Sequence, residues 1–140
     1  MKNLALPFLV VLLAALSSGG CVTPQACTEM GCSSGVSLTI YDSDGQPAAE
    51  VRGTVIVDGV QYGFDCSGTT SELLCDGNIL FLPIEEGEAL NFFIVSGDAS
   101  EVASGEIPLE FESWEPNGAG CDPVCLRADY AITLVRDVDG

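Results

Sequence analysis

The chain contains no histidine and only four basic residues against 21 acidic ones. The single lysine, Lys2, stands at the start of a greasy leader, and the other cations are Arg52, Arg127 and Arg136. Without histidine there is no His-based catalytic triad and no His-containing zinc site. Without a lysine beyond the leader, Schiff-base chemistry has no amine to use. A formal charge of −17 repels phosphate, so nucleic acid and anionic headgroups are excluded as partners. The same excess of carboxylates keeps a protein soluble in a crowded extracellular space, and the sharper readings of it are weak divalent-cation binding or a basic partner. Helical periodicity is also missing, as is any apolar run long enough to span a bilayer as a helix.

What is present at the front is an export signal. Lys2 supplies a short positive region, residues 4–16 are almost continuously apolar, and Ser17, Ser18, Gly19 and Gly20 follow. Residues 1–20 therefore fall outside the fold. Two cleavage readings stand. An ordinary signal peptidase would cut after Ser17, with Ala15 three residues before the cut. Alternatively, Ser18-Gly19-Gly20-Cys21 resembles the lipobox of bacterial lipoproteins, with Ser18 where that family usually has leucine. The resemblance implies a diacylglyceryl group on the Cys21 sulfur and about two or three acyl chains in all, enough for firm attachment to the bilayer. Val22 stands where an aspartate often signals inner-membrane retention in that family, which favours the outer membrane.

Cysteine arithmetic agrees with lipidation. Seven cysteines is an odd number, and an exported chain rarely leaves one free. If Cys21 carries lipid, then Cys27, Cys32, Cys66, Cys75, Cys121 and Cys125 form three disulfides. Otherwise the protein is secreted in soluble form, with Cys21 free or bonded to another chain. Bridged thiols in an oxidising compartment also make zinc thiolate sites improbable.

The mature chain of about 120 residues is one small domain. Residues 21–35 read as a tether, 36–136 as the domain and 137–140 as a frayed end. Within the domain the period is two. Val36, Leu38 and Ile40 alternate with Ser37, Thr39 and Tyr41. Further strands are expected over residues 51–58, 60–66, 71–75, 78–84, 89–95, 107–111 and 128–134, with Pro108 marking an edge or a strand start. Asp58-Gly59 and Asp76-Gly77, each between β-rich runs, signal hairpins. Residues 85–90 hold a helical turn at most. The pattern predicts an all-β protein, a disulfide-stapled antiparallel β-sandwich of about seven short strands.

Six cysteines allow many pairings. Position suggests Cys66 with Cys75 across a loop, and the pair Cys27 and Cys32 cross-linked to the pair Cys121 and Cys125. The rival scheme joins Cys27 to Cys32 and Cys121 to Cys125 locally.

Candidate sites are few. Asp42-x-Asp44-Gly45 and Asp137-x-Asp139-Gly140 faintly resemble calcium loops, but glycine comes early and no later glutamate completes the set. Turn aspartates explain them better, and no metal or other cofactor is expected. Glu85, Glu86 and Glu88 form an acidic knot; paired carboxylates can hydrolyse glycosides, yet a solvated loop is the simpler reading. Cys121-Asp-Pro-Val-Cys125 is one residue too long for a thioredoxin-type motif. Trp114 either caps the sandwich end or stands exposed to stack on a sugar or anchor a protein partner. Phe92-Phe93 poses the same question, since adjacent strand residues face opposite ways.

Cys21, the strand over residues 36–41 and the segment from Pro116 to Cys125 together resemble small uncharacterised lipoproteins of Gram-negative bacteria. The run VSLTIYDSDGQPAAEVRGTVIV is similar to the opening of transthyretin-like and carboxypeptidase-regulatory-like sandwich domains. These resemblances imply an envelope β domain and carry over no functional residue. The expected protein is a non-enzymatic structural or binding module. It is anchored in the bilayer through Cys21 and faces an envelope or extracellular protein or glycan. A small hydrolase using the acidic knot and a calcium-stabilised adhesion domain are the other readings.

Overall fold

A computed structural model describes residues 27–68 and 71–138. The leader expected over residues 1–20 and the lipidation expected at Cys21 lie outside the described residues. Among the described residues there is no helix, and ten strands form two five-stranded sheets. In chain order they are β1 (Gly35–Tyr41), β2 (Arg52–Val57), β3 (Val60–Asp65), β4 (Leu74–Asp76), β5 (Ile79–Leu82), β6 (Ala89–Val95), β7 (Glu101–Pro108), β8 (Glu112–Trp114), β9 (Cys125–Thr133) and β10 (Val135–Arg136). One sheet runs β4-β5-β1-β9-β8 and the other β10-β7-β6-β2-β3.

The alternation of apolar residues decides which faces meet. Val36, Leu38 and Ile40 of β1 are fully buried, as are Leu80 and Leu82 of β5. From the facing sheet come Val55, Leu90 and Ile94, also fully buried. Burying each such side chain contributes about 1.5–3 kcal/mol, so the core is the main source of stability. β1 sits centrally, antiparallel to β5 and parallel to β9, in register from Gly35↔Arg127 to Tyr41↔Thr133. Every other ladder is antiparallel. The parallel pair arises because β1 and β9 are far apart in sequence and no short turn constrains their direction.

Both expected hairpins form. Val57 pairs with Val60 across Asp58-Gly59, and both loop residues have positive φ (49° and 81°), as a type I′ turn requires. In the second hairpin Asp76 pairs with Ile79, so the loop is Gly77-Asn78, one residue later than expected, with Gly77 at φ 60°.

Residues 85–90, expected to hold a helical turn at most, hold none and are loop until β6 begins at Ala89. Two expectations are corrected. The strand expected over 107–111 instead ends at Pro108 and begins at Glu101. Its inward residues Ala103 and Gly105 are too small to read as an apolar face. The strand expected to run through Leu134 leaves its sheet there: β9 stops at Thr133, and β10 joins the opposite sheet beside β7.

The disulfides are Cys66–Cys75, Cys27–Cys121 and Cys32–Cys125. The cross-linked scheme therefore holds and the local one does not. Asn117 completes the staple. Buried in the loop after β8, its Oδ1 accepts from Thr28 Oγ1 and the Met30 N–H, both at 2.7 Å. Its Nδ2 donates to the carbonyls of Met30 (2.8 Å) and Asp122 (2.6 Å). The second half of the expected tether is thus bound to the domain, and a buried amide is fully satisfied.

Candidate functional site

Trp114 ends β8, an edge strand that covers only the first three residues of β9. It is 38 % exposed, so it does not close the sandwich end. Glu112 pairs with Arg127 and Trp114 with Cys125, which brings Arg127 diagonally across the indole. The guanidinium carbon lies 4.9 Å from the ring centroid, a cation–π contact. Arg127 Nη2 also reaches Asp129 Oδ1 at 3.3 Å. Below this pair, the Tyr130 hydroxyl accepts from the Glu110 N–H (2.8 Å) and donates to the Pro108 carbonyl (3.0 Å). The phenol thereby pins the crossing from β7 to β8. Together these residues line a half-open depression of about 350 Å³.

The chemistry is an amphipathic aromatic beside one guanidinium and the carboxylates of Glu110, Glu112 and Asp129. Such a set offers stacking area together with hydrogen-bond donors and acceptors. Trp114 stands out in the sequence, whereas Arg127 and Tyr130 do not. Their strand partners lie 13 to 22 residues away in sequence, and only the β8–β9 register joins them.

The other candidates stay apart. Asp42 Oδ1 accepts from the N–H groups of Asp44 (3.0 Å) and Gln46 (2.7 Å), the turn role expected of it. Asp139 and Gly140 lie outside the described residues. Glu85, Glu86 and Glu88 are exposed on the β5–β6 loop. Among the described residues, no group of three or more His, Cys, Asp or Glu side chains is placed to hold a metal. Cys121 and Cys125 are each bonded to the N-terminal segment rather than to one another. Phe92 faces inward, and Phe93 faces solvent at 53 % exposure.

One carboxylate is strongly perturbed, at a turn far in sequence from Trp114. Asp98 Oδ1 accepts from Ser100 Oγ (2.7 Å), the Ser100 N–H (3.0 Å) and Ser96 Oγ (2.7 Å). These bonds favour the charged form and lower its pKa to about 2, the Ser100 hydroxyl contributing most. A depressed carboxylate pKa adds stability above the unfolded value of about 3.9 and loses it as pH falls through the folded value. An NMR titration of the Asp98 carboxyl carbon should show a midpoint near 2. In the S96A/S100A double variant it should move back toward the ordinary aspartate range; an unmoved midpoint would refute the assignment to the serines.

No protein-family model, curated protein or solved structure matches this chain.

Proposed function

We propose that this protein is an exported, lipid-anchored β-sandwich of the outer membrane that serves as a non-enzymatic binding module. The observation that carries the reading is Trp114, exposed at a sheet edge and flanked by Arg127 in a polar depression. Tryptophan and arginine are the residue types most enriched where binding energy concentrates. Export is supported by the three disulfides, which persist in oxidising compartments. Those bridges use every cysteine except Cys21, which leaves that thiol for lipid. The binding partner is an envelope or extracellular protein or glycan that presents flat, hydrogen-bonding surface to the indole.

The test is affinity capture from solubilised envelopes with the native protein and with W114A. Truncating a central aromatic anchor typically weakens binding by about 2 kcal/mol, roughly 30-fold. A capture profile unchanged by W114A would reject the Trp114 surface. An intact mass beginning at unmodified Ser18, in place of acylated Cys21, would reject the anchor.

A further inference from the structure

Among the described residues, the side of the sandwich opposite β3 and β4 is open, and the hydrogen-bond pattern tells which backbone groups face the opening. On β7, the Ser96 N–H donates to the Glu101 carbonyl at 2.9 Å, so odd-numbered residues of this strand point their backbone groups toward β6. The Asp137 N–H donates to the Ser100 carbonyl at 3.0 Å, so even-numbered residues point the other way, toward β10. But β10 is two residues long and pairs only with Glu101 and Val102. The Pro108 carbonyl is taken by Tyr130. Ser104 and Glu106 are left, each presenting an N–H and a C=O along an edge that no described strand covers.

The facing strand repeats the situation. The Leu126 N–H donates to Ser34 Oγ (3.1 Å) and the Leu134 N–H to the Tyr41 carbonyl (2.8 Å). Even positions of β9 thus face β1, and odd positions face outward. β8 covers β9 only as far as Arg127, so beyond it the outward edge of β9, at Asp129, Ala131 and Thr133, is paired with no described strand, while their other side lies against β1. The two free edges are joined at one end by Leu134, where the chain crosses between sheets, and at the other by residues 109–111. They frame a window of about 470 Å³.

The floor of this window is apolar. Phe92 points inward like its strand neighbours Leu90 and Ile94, which are fully buried, yet it is only partly buried. The residue opposite it on β7 is Gly105, with Ala103 beyond, and neither has a side chain that reaches across the ring. Ile107 and Ile132 complete the floor. Glu106 stands on the outer rim, in a chain of net charge −17. An exposed edge is a template for any extended backbone. Here like charge opposes a second copy of this chain and attracts a cationic segment.

We propose that the window between β7 and β9 receives an extended strand from a basic partner, paired with the backbone of Ser104 and Glu106. Inward side chains of that strand are apolar and cover Phe92, and outward ones are basic and meet Glu106. This is strand addition to a sheet edge, in which main-chain bonds supply affinity and alternate side chains supply specificity. The window adjoins the Trp114 depression along the β9 edge but shares none of its lining residues, and the proposal does not depend on it.

The test uses the purified full protein and a synthetic peptide of alternating valine and lysine, with a valine–glutamate peptide as control. The valine–lysine peptide is expected to bind and to slow amide exchange at Ser104 and Glu106 at least about 10-fold. The control peptide should leave both amides unchanged. Ser104→Pro removes an outward N–H without touching the β6 ladder, and should weaken peptide binding roughly 10-fold. Three results would overturn the proposal: binding with both amides still fast, equal affinity for S104P, or amides already protected in the free protein. Protection that grows with protein concentration would assign the edge to self-association instead. Should S104P fail to fold, the exchange data on the native chain decide alone.

Discussion

Replacing Cys27, Cys32, Cys121 and Cys125 together by alanine is expected to leave the protein largely unfolded at 37 °C, whereas removing either bridge alone is not. Both bridges join the same two segments, with sequence separations of 94 and 93 residues. If one is lost, the other still closes the long loop. What disappears first is only the small ring made by residues 27–32 and 121–125, roughly ten residues, worth about 2–3 kcal/mol in loop-closure entropy. Losing the second bridge opens a loop of nearly a hundred residues, worth about 4–5 kcal/mol more. The combined loss rivals the whole net stability of a small domain, about 5–15 kcal/mol. Urea denaturation of the two single-bridge variants and the double variant measures this directly. Equal costs for the first and second removal would show that the bridges act through local packing and not through shared loop closure.

The second large effect concerns the centre of the core. Leu38 is fully buried on β1, between Leu80 of β5 and Tyr130 of β9. Strands hold it on both sides and the opposite sheet covers it, so the site cannot collapse when side-chain volume is removed. Leu38→Ala should therefore cost about 3–4 kcal/mol, within the range of large-to-small core substitutions. Leu74, on the edge strand β4, is 69 % exposed, and Leu74→Ala should change stability by less than about 0.5 kcal/mol. Denaturation midpoints with unchanged slopes would show both effects to lie in the folded state. A Leu38→Ala cost near that of Leu74→Ala would mean that β1 is not the central strand.

Much of this was legible in local patterns. Residues 36–41 announced a half-buried strand because alternation is set by the pleat and survives any choice of neighbour. Asp58-Gly59 announced a hairpin because positive φ at both loop positions leaves few residue types. Where side chains are small the pattern loses contrast. Ala103, Ser104 and Gly105 form the middle of β7, and nothing in their types distinguishes a strand from a loop. The Trp114 surface was half-legible. A lone tryptophan invites attention, but its partners Arg127 and Tyr130 come from a strand that meets β8 only by tertiary register. Asn117, with four hydrogen bonds, reads in the sequence as an ordinary turn residue of a Pro-Asn-Gly loop.

Residue types and short-range spacing were enough for the all-β class, the acidic charge, the odd number of cysteines and the absence of histidine. Those properties depend on residue type and short-range spacing, which no fold can alter. Only the packing of the two sheets settles that β1 lies parallel to β9, that Cys27 pairs with Cys121 rather than Cys125, and that among the described residues two sheet edges stay open around Phe92. Each of these rests on contacts between residues far apart in the chain. Their geometry is fixed by how two twisted sheets bury a common core, not by any local preference of the residues involved.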